Sequence, residues 1–372
     1  MRVPGVASRR YAVHLKASGV HIASLATNLT TNPRKPMSPV PPQVHSLAAE
    51  IYRWHQANAD DGLRPHLGAS LIGHPCARYL WLSFRWVMAP GFEGRILRLF
   101  ARGQREEAII VEELRGIGAE VSECQANGDQ WRVSACGGHF GGSLDGCVKG
   151  LPGGSSTNFE LLEFKTHNAK SFKDLSEKGV QVSKPQHWCQ MQIYLHLTGM
   201  ARANYIAVNK DTEAIYHERV AVDPDAGPQL IKRAESVIFA QEPPPGISSD
   251  PSWFQCRMCS YHAFCHGQEA PLVNCRTCAH ATPAADGEWL CEWQGYPLSV
   301  VGVDPKVGCV KHRYIPALLS TFAVMTDADA SENWVEYRNL ATNALFRNGQ
   351  HGYSSQDIHD FKDKSQLGAL PG

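Results

Sequence analysis

The chain has 372 residues, of which 43% are hydrophobic and 19% charged, so it can bury a full core in one large domain with smaller additions. No stretch approaches the roughly 20 consecutive apolar residues that a membrane-spanning helix requires, so no membrane association is expected. Lysine plus arginine equals aspartate plus glutamate at 36 each, which gives a formal net charge of zero. A surface for nucleic acid would therefore have to come from local clusters of basic residues.

Residues 1–46 are predicted to form a disordered arm. Residues 1–49 contain Arg and Lys but no Asp or Glu, and they include a proline-rich stretch at 36–42. Such a start is also typical of a mitochondrial transit peptide, and Met37 is an alternative first residue.

The residues that follow predict three helices. Residues 44–54 have amphipathic character, and a second helix follows a turn at residues 70–76 and continues to Trp86. In the third helix apolar side chains recur at steps of three and four, and Gly116 and Gly118 end it. Glu107 is predicted to share one stripe of this helix with Ile96, Phe100, Ile110, Val111 and Leu114.

Between residues 120 and 166 the pattern changes to short strands. Segments 143–148 and 160–165 flank a loop rich in Gly and Ser, which predicts a hairpin. Pro185 then begins a helix that stops at Gly199, and strands are expected at residues 204–209 and 215–222. A helix at residues 228–241 precedes three prolines, and one more helix is predicted between Glu332 and Phe346.

The hairpin carries a candidate catalytic group. Glu163 and Lys165 are two residues apart, so they project from one face of their strand, and the pairing brings Asp145 toward them. Two neighbouring carboxylates repel unless a cation neutralises them, and their hard oxygen atoms favour Mg²⁺ or Mn²⁺. The ammonium of Lys165 would orient an attacking water and offset charge on a phosphate, which predicts phosphodiester hydrolysis. The alternative is a surface ion pair beside a turn.

These residues resemble the motifs of the PD-(D/E)XK nuclease superfamily, and the resemblance extends to two helices. Gly103 and Glu107 match the G-x-x-x-E of the lambda-exonuclease-like branch, with Glu106 as the neighbouring alternative. Gln190 and Tyr194 match the Q-x-x-x-Y of RecB-like nucleases. The resemblance implies that Glu107 completes the metal site and that Gln190 and Tyr194 orient the DNA strand. It also implies a restriction-endonuclease-like α/β fold, in which helices flank a central mixed sheet.

Cys256, Cys259 and Cys265 form a C-x2-C-x5-C triplet without a nearby fourth thiol. The triplet, closed by the distant Cys76, resembles the iron-sulfur nucleases related to CRISPR-adaptation exonucleases and to the AddB subunit of bacterial helicase-nucleases. The resemblance implies a [4Fe-4S] cluster that joins the segment before the nuclease helices to the segment after the last core element. Zinc in the same four thiolates is the alternative.

A second cysteine group follows, with spacing that resembles a small zinc ribbon. Its ligand candidates are Cys275, Cys278, Cys291 and Cys309, with His280 and His312 as substitutes. Because so short a segment offers no other hydrophobic core, bound Zn²⁺ is favoured over scattered thiols. The module would bind DNA, dock a partner or only fold the tail.

Four parts are thus predicted: a disordered arm at 1–46, a nuclease domain with an iron-sulfur cluster at 47–268, a zinc module at 269–316 and a polar tail at 317–372. The expected activity is that of an exonuclease on linear single- or double-stranded DNA ends, in recombination, repair or phage replication. A recombinase, an annealing protein or a helicase is the expected partner, in the cytoplasm of a bacterium or a phage-infected cell. The alternatives are a CRISPR-adaptation nuclease, a mitochondrial exonuclease, and a non-catalytic iron-sulfur protein that binds DNA or senses redox state.

Overall fold

The computed structural model describes residues 46–125, 127–300, 302 and 304–368. The predicted N-terminal arm, including Met37, lies outside the described residues. The described residues from Leu47 onward form one compact unit. Among the helices of the described ranges, none is both long and apolar enough to cross a membrane.

Helices and short strands follow one another along the described chain. The helices are α1 (Leu47–Ala57), α2 (Ala77–Phe84), α3 (Gly94–Gly116), α4 (Ala169–Ser183), α5 (Pro185–Thr198), α6 (Ala226–Ile238), α7 (Phe254–Arg257), α8 (His262–His266) and α9 (Ser355–Asp360). The strands are β1 (Leu67–Gly68), β2 (Glu120–Ser122), β3 (Arg132–Ala135), β4 (Phe140–Ser143), β5 (Gly146–Lys149), β6 (Glu160–His167), β7 (Arg202–Asn209), β8 (Ile215–Ala221), β9 (Ala281–Pro283), β10 (Trp289–Cys291), β11 (Tyr296–Pro297), β12 (Ala323–Asp329), β13 (Trp334–Asn339) and β14 (Leu345–Gly349).

A five-stranded mixed sheet in the order β2-β5-β6-β7-β8 forms the centre of the molecule. β6 and β7 run parallel, while the other neighbouring pairs are antiparallel. Because side chains alternate along a strand, Leu162 and Phe164 pack with α3, while Leu161 and Tyr205 pack on the opposite face with α5. Helices therefore cover both faces of the sheet, in the mixed α/β arrangement expected from the sequence.

The two helices that border the site begin for different local reasons. α5 starts at Pro185, where the missing N–H removes no helical hydrogen bond, and Gly199 ends it with a φ of 72°. α4 was not predicted, because its pattern is interrupted at Gly179, where φ is 73° and the helix kinks. The side chain of Asn168 caps α4 by accepting a hydrogen bond from the Ser171 N–H (2.8 Å). α4 thus begins directly where β6 ends.

The cysteine-rich segment is part of the main core, although a separate module at residues 269–316 was expected. β9, β10 and β11 form a small antiparallel sheet, and Trp289 on β10 packs in the same core as Trp81 and Phe84 of α2. The Arg276 guanidinium lies 3.6 Å from the ring centroid of Trp86 and 4.8 Å from that of Trp289. Buried aromatic side chains therefore hold this segment, and the core crosses the expected boundary after residue 268.

The C-terminal segment forms a three-stranded antiparallel sheet, β12-β13-β14, followed by α9. The helix predicted between Glu332 and Phe346 is wrong. Val335 and Tyr337 are buried while the residues between and around them are more exposed, which is the period of a strand. Asn343, with a φ of 61°, turns the chain back into β14. The apolar residues of this segment matched helical spacing by coincidence.

Candidate active site

Two charged side chains project from one face of β6. Glu163 is fully buried, and its carboxylate pairs with the ammonium of Lys165. The same ammonium donates a hydrogen bond to the carbonyl oxygen of Phe164 (2.9 Å). The E-x-K spacing therefore places a cation beside a carboxylate that is shielded from water.

Asp145 lies in the short connection between β4 and β5. Its Oδ2 accepts a hydrogen bond from the Phe164 N–H (2.8 Å) and stands 4.0 Å from Lys165 Nζ. Oδ1 of Asp145 has no hydrogen-bond partner among the residues that the structure describes. The hairpin thus brings Asp145 to the Glu163–Lys165 pair, as the sequence predicts, and leaves one carboxylate oxygen available.

α5 lays Gln190 and Tyr194 against this group. Gln190 Nε2 donates hydrogen bonds to Glu163 Oε2 (3.2 Å) and to Tyr194 Oη (3.3 Å), and both side chains are buried. Gly142 on β4 leaves the space for the phenol, because a Cβ at that position would stand 2.5 Å from Tyr194 Oη. Gln190 therefore contacts the Glu163 carboxylate directly, and Tyr194 contacts Gln190.

Glu107 approaches from α3 and is half-buried. Burial raises the pKa of its carboxyl, the charge of Asp145 raises it further, and Lys165 lowers it. Neither Glu107 nor Glu106 forms a hydrogen bond or ion pair with this group within the described ranges, but Glu107 is near enough for the charges of Asp145 and Lys165 to act on it. In the same ranges no three His, Cys, Asp or Glu side chains converge as the ligands of one ion do. Glu107 therefore borders the Asp145–Glu163 pair without standing at ligand spacing.

The electrostatics of the group favour a bound cation. Burial raises the pKa of the Glu163 carboxyl, and Asp145 and Glu107 add to this while Lys165 opposes it. Burial alone would lower the pKa of the Lys165 ammonium, but the carboxylates of Glu163 and Asp145 outweigh burial and raise it. Three carboxylates thus share one ammonium in a place with little water. Their hard oxygen atoms fit Mg²⁺ or Mn²⁺.

A buried hydrogen-bond network beside the site was not predicted. His167 Nε2 lies 3.0 Å from the hydroxyl of Tyr205, and His187 Nδ1 lies 2.9 Å from the same hydroxyl. Ser171 Oγ, on α4, lies 3.1 Å from His167 Nδ1. A signal was available, because the alternation along β6 continues from Lys165 to His167. The network ties β6, β7, α4 and α5 together next to the catalytic candidates.

The four thiols of the predicted iron-sulfur group line one cavity, although Cys76 is far from the others in the chain. Cys76 precedes α2, while Cys256, Cys259 and Cys265 belong to the α7–α8 segment. Burial raises the pKa of the Cys265 thiol to about 11, and it also raises the pKa of Cys259; Cys76 adds to both shifts. Such thiols stay protonated unless a metal binds them, so the donor types suit a thiolate-bound centre, although no three of the thiols stand at ligand spacing in the described ranges.

The second cysteine group also shares a cavity, whose lining includes Cys275, Cys278, Cys291, Cys309, His280 and His312. Burial raises the pKa of Cys275 to about 12, and the other three thiols add to the shift. His312 Nδ1 is buried without a hydrogen-bond partner in the described part of the chain, and its Nε2 lies 3.2 Å from Thr277 Oγ1. Thiol and imidazole donors are the types that a soft divalent metal such as Zn²⁺ prefers, although no three of them stand at ligand spacing in the described ranges.

Comparisons with known proteins place the chain near solved structures of low similarity. No protein-family model and no curated protein sequence matches it. The crystal structure of SSO0001 has a TM-score of 0.36 and 17% identity, covering 58% of this chain and 92% of that chain. The alkaline exonuclease LHK-Exo from Laribacter hongkongensis has a TM-score of 0.32 and 18% identity. The structure of LHK-Exo in complex with dAMP has a TM-score of 0.35 and 16% identity. Each of these two matches covers 50% of this chain and 89% of that chain. A likeness of this extent does not define a family for the chain.

Proposed function

We propose that the chain is a metal-dependent deoxyribonuclease that hydrolyses phosphodiester bonds from DNA ends. The observation that carries this proposal is the convergence of Asp145, Glu163 and Lys165 at one end of a hairpin. A fully buried carboxylate beside a second carboxylate is costly for a fold, and strongly perturbed groups of this kind cluster at functional sites. Action on ends, as an exonuclease, follows from the resemblance of the motifs to those of lambda-exonuclease-like and RecB-like nucleases.

Each residue has a distinct task in this proposal. Asp145 and Glu163 would hold Mg²⁺ or Mn²⁺, which supplies a Lewis acid for the scissile phosphate and lowers the pKa of a water. The Lys165 ammonium orients the attacking water by hydrogen bonding and offsets negative charge as it develops on the phosphate. Gln190 fixes the orientation of Glu163 through its amide N–H, and Glu107 adds a third carboxylate at the edge of the group.

The proposal includes two thiolate centres. An iron-sulfur cluster is assigned to Cys76, Cys256, Cys259 and Cys265, supported by their common cavity and the raised pKa values of two of the thiols. Zn²⁺ is assigned to Cys275, Cys278, Cys291 and Cys309, supported by their common cavity and the raised pKa of Cys275. Neither centre is given a step in hydrolysis; both are assigned to holding the chain together.

The test is degradation of end-labelled linear DNA with Mg²⁺ or Mn²⁺. Lys165→Ala and Asp145→Asn are each expected to reduce the rate by at least ~100-fold, because each removes charge or a ligand from the reaction centre. Lys149→Ala is the matched control, since Lys149 lies on the neighbouring strand β5 and pairs with Glu120 instead. Its rate should equal that of the wild type. Parallel 5′ and 3′ labels reveal the direction of degradation.

Closed circular DNA separates cleavage at ends from internal cleavage. Degraded linear DNA beside intact circles supports an exonuclease, and degraded circles would overturn that part of the proposal. Absence of any metal-dependent cleavage by folded, cluster-loaded wild type would overturn the proposed activity. Equal rates for wild type and both site variants would show that the cleavage comes from elsewhere.

A further inference from the structure

α3 carries a row of basic side chains ahead of Glu107. Its residues Arg95, Arg98, Arg102 and Arg105 follow one another at steps of three, four and three. At about 100° per residue these side chains fall within an arc of roughly 80° on one face of the helix. No Asp or Glu occurs between residues 94 and 105. In a chain whose formal net charge is zero, this is a local concentration of positive charge.

The arginines of this row are largely without partners. Arg95, Arg98 and Arg105 are exposed, and none of them forms an ion pair or a hydrogen bond within the ranges that the structure describes. Arg102 is the exception, since it donates a hydrogen bond to the Lys210 carbonyl (3.0 Å) and stands 3.7 Å from Glu213. The charges of the other three are therefore not needed to hold α3 in place.

Arg102 connects the row to the reaction centre. Lys210 follows β7, where the carboxyl ends of the parallel strands β6 and β7 lie side by side. The Lys210 N–H donates a hydrogen bond to the carbonyl oxygen of His167, the last residue of β6 (2.9 Å). Lys210 and the catalytic candidate Lys165 therefore lie around the same strand end. Basic charge continues from the exposed face of α3 toward the proposed site.

We propose that Arg95, Arg98, Arg102, Arg105 and Lys210 form a track that binds the phosphate backbone of a DNA strand next to the cleavage site. This inference rests on the proposed function and specifies a polynucleotide held at several phosphates as the substrate. The row spans about 15 Å along α3, the length of ~4 nucleotides of one strand of B-DNA. Guanidinium groups on a fixed helix suit repeated phosphate oxygens, and they carry no base specificity.

The track is tested with the triple variant Arg95→Ala, Arg98→Ala and Arg105→Ala, whose native side chains are exposed and make no ion pair or hydrogen bond in the described ranges. Binding of a strand of about 30 nucleotides is measured in EDTA across salt concentrations, so that cleavage is not required. We expect at least ~10-fold weaker binding at low salt and a slope of log affinity against log salt that is shallower by ~2 to 3. The matched control removes equal charge elsewhere, by Lys232→Ala, Arg338→Ala and Lys362→Ala.

A small substrate separates the track from the reaction centre. Hydrolysis of the p-nitrophenyl ester of thymidine 5′-monophosphate should be unchanged in the triple variant, because a single nucleotide is too short to extend to the exposed arginine face of α3. Weaker binding with a shallower slope, specific to the triple variant, supports the track. Unchanged binding, or an equal loss in the control, overturns it. If wild type binds the strand but cleaves neither the strand nor the ester, the proposed function fails while the binding result still decides the track.

Discussion

Gln190 and Gln192 are both buried on α5, yet they serve different neighbours. Gln190 donates to Glu163 and Tyr194, whereas Gln192 donates to the Ala221 carbonyl (3.0 Å) and accepts from the Asp223 N–H (2.8 Å). Gln190 thus faces the proposed site, whereas Gln192, two residues later on the same helix, stabilises the end of β8. The pair allows the role of a buried amide in the site to be distinguished from its role in stability.

Gln190→Ala is expected to lower the rate of DNA cleavage by ~10- to 100-fold, because Glu163 loses the donor that fixes its carboxylate. Gln192→Ala should keep the cleavage rate per folded molecule, although it leaves a buried carbonyl and an N–H unsatisfied and lowers the free energy of unfolding by about 1 to 3 kcal/mol. Steady-state kinetics and urea unfolding of both variants measure the two effects. An equal loss of rate in both variants would contradict the assignment of Gln190.

Two polar contacts join α5 to the parallel pair of strands. Gln190 meets Glu163, and one turn earlier His187 meets Tyr205, whose hydroxyl also reaches His167. Burial lowers the pKa of His167 to about 4 and that of His187 to about 3, with further lowering by neighbouring lysines. Both imidazoles are therefore neutral in the folded chain at pH values where free histidine begins to bind a proton.

The pH dependence of stability follows from these shifts. Below pH 6.5, the ordinary pKa of histidine, these two histidines bind protons in the unfolded chain but not in the folded chain. The free energy of unfolding should therefore fall as pH decreases toward 4. His187→Gln should make this fall shallower by up to ~1.4 kcal/mol per pH unit. His55→Gln on α1, outside the network, is the control. Urea unfolding between about pH 4 and 7 measures the free energy of unfolding at each pH. If this free energy fell as steeply with pH in His187→Gln as in the wild type, the network as described would be contradicted.

The elements that the sequence predicts are those whose signals are local. The alternation of Glu163 and Lys165, the limits of α5 at Pro185 and Gly199, and the hairpin to Asp145 all depend on neighbouring residues, and the structure has each of them. The basic row on α3 cannot be recognised from the sequence, because exposed helices commonly carry charge and only the structure shows which side chains lack partners. The His167–Tyr205–His187 network depends on β6 pairing with β7, which no local pattern specifies.

At the scale of the whole molecule, the cysteines connect distant parts of the chain. Cys76 shares a cavity with thiols about 180 residues later, and closing a loop of that length restricts the unfolded chain. The cavity also borders α2, whose Trp81 and Phe84 lie in the main core. Loss of the proposed cluster would therefore lower the stability of the folded chain as well as change its metal content.

Cys76→Ser is expected to remove the brown colour, iron and acid-labile sulfide of protein purified without oxygen, and to lower its melting temperature, because one of four thiolate ligands is lost. Cys124→Ser is the control, since Cys124 is an exposed free thiol. Its iron content should match that of the wild type. Colourless wild type with zinc bound by the same thiols would contradict the iron-sulfur assignment and favour a zinc site.

The main core has one further consequence, for the order in which the chain is completed. Its members extend from Leu67 to Leu318, so residues ahead of α2 and residues after the cysteine-rich segment close the same interior. During synthesis, Tyr194 leaves the ribosome more than a hundred residues before Leu318, which at ordinary rates of translation is on the order of ten seconds. Throughout that interval the apolar faces of the sheet and of α2 lack their final covering. The proposed DNA-cutting site, whose residues lie between Glu107 and Tyr194, therefore rests on a core that is complete only after Leu318 has been made.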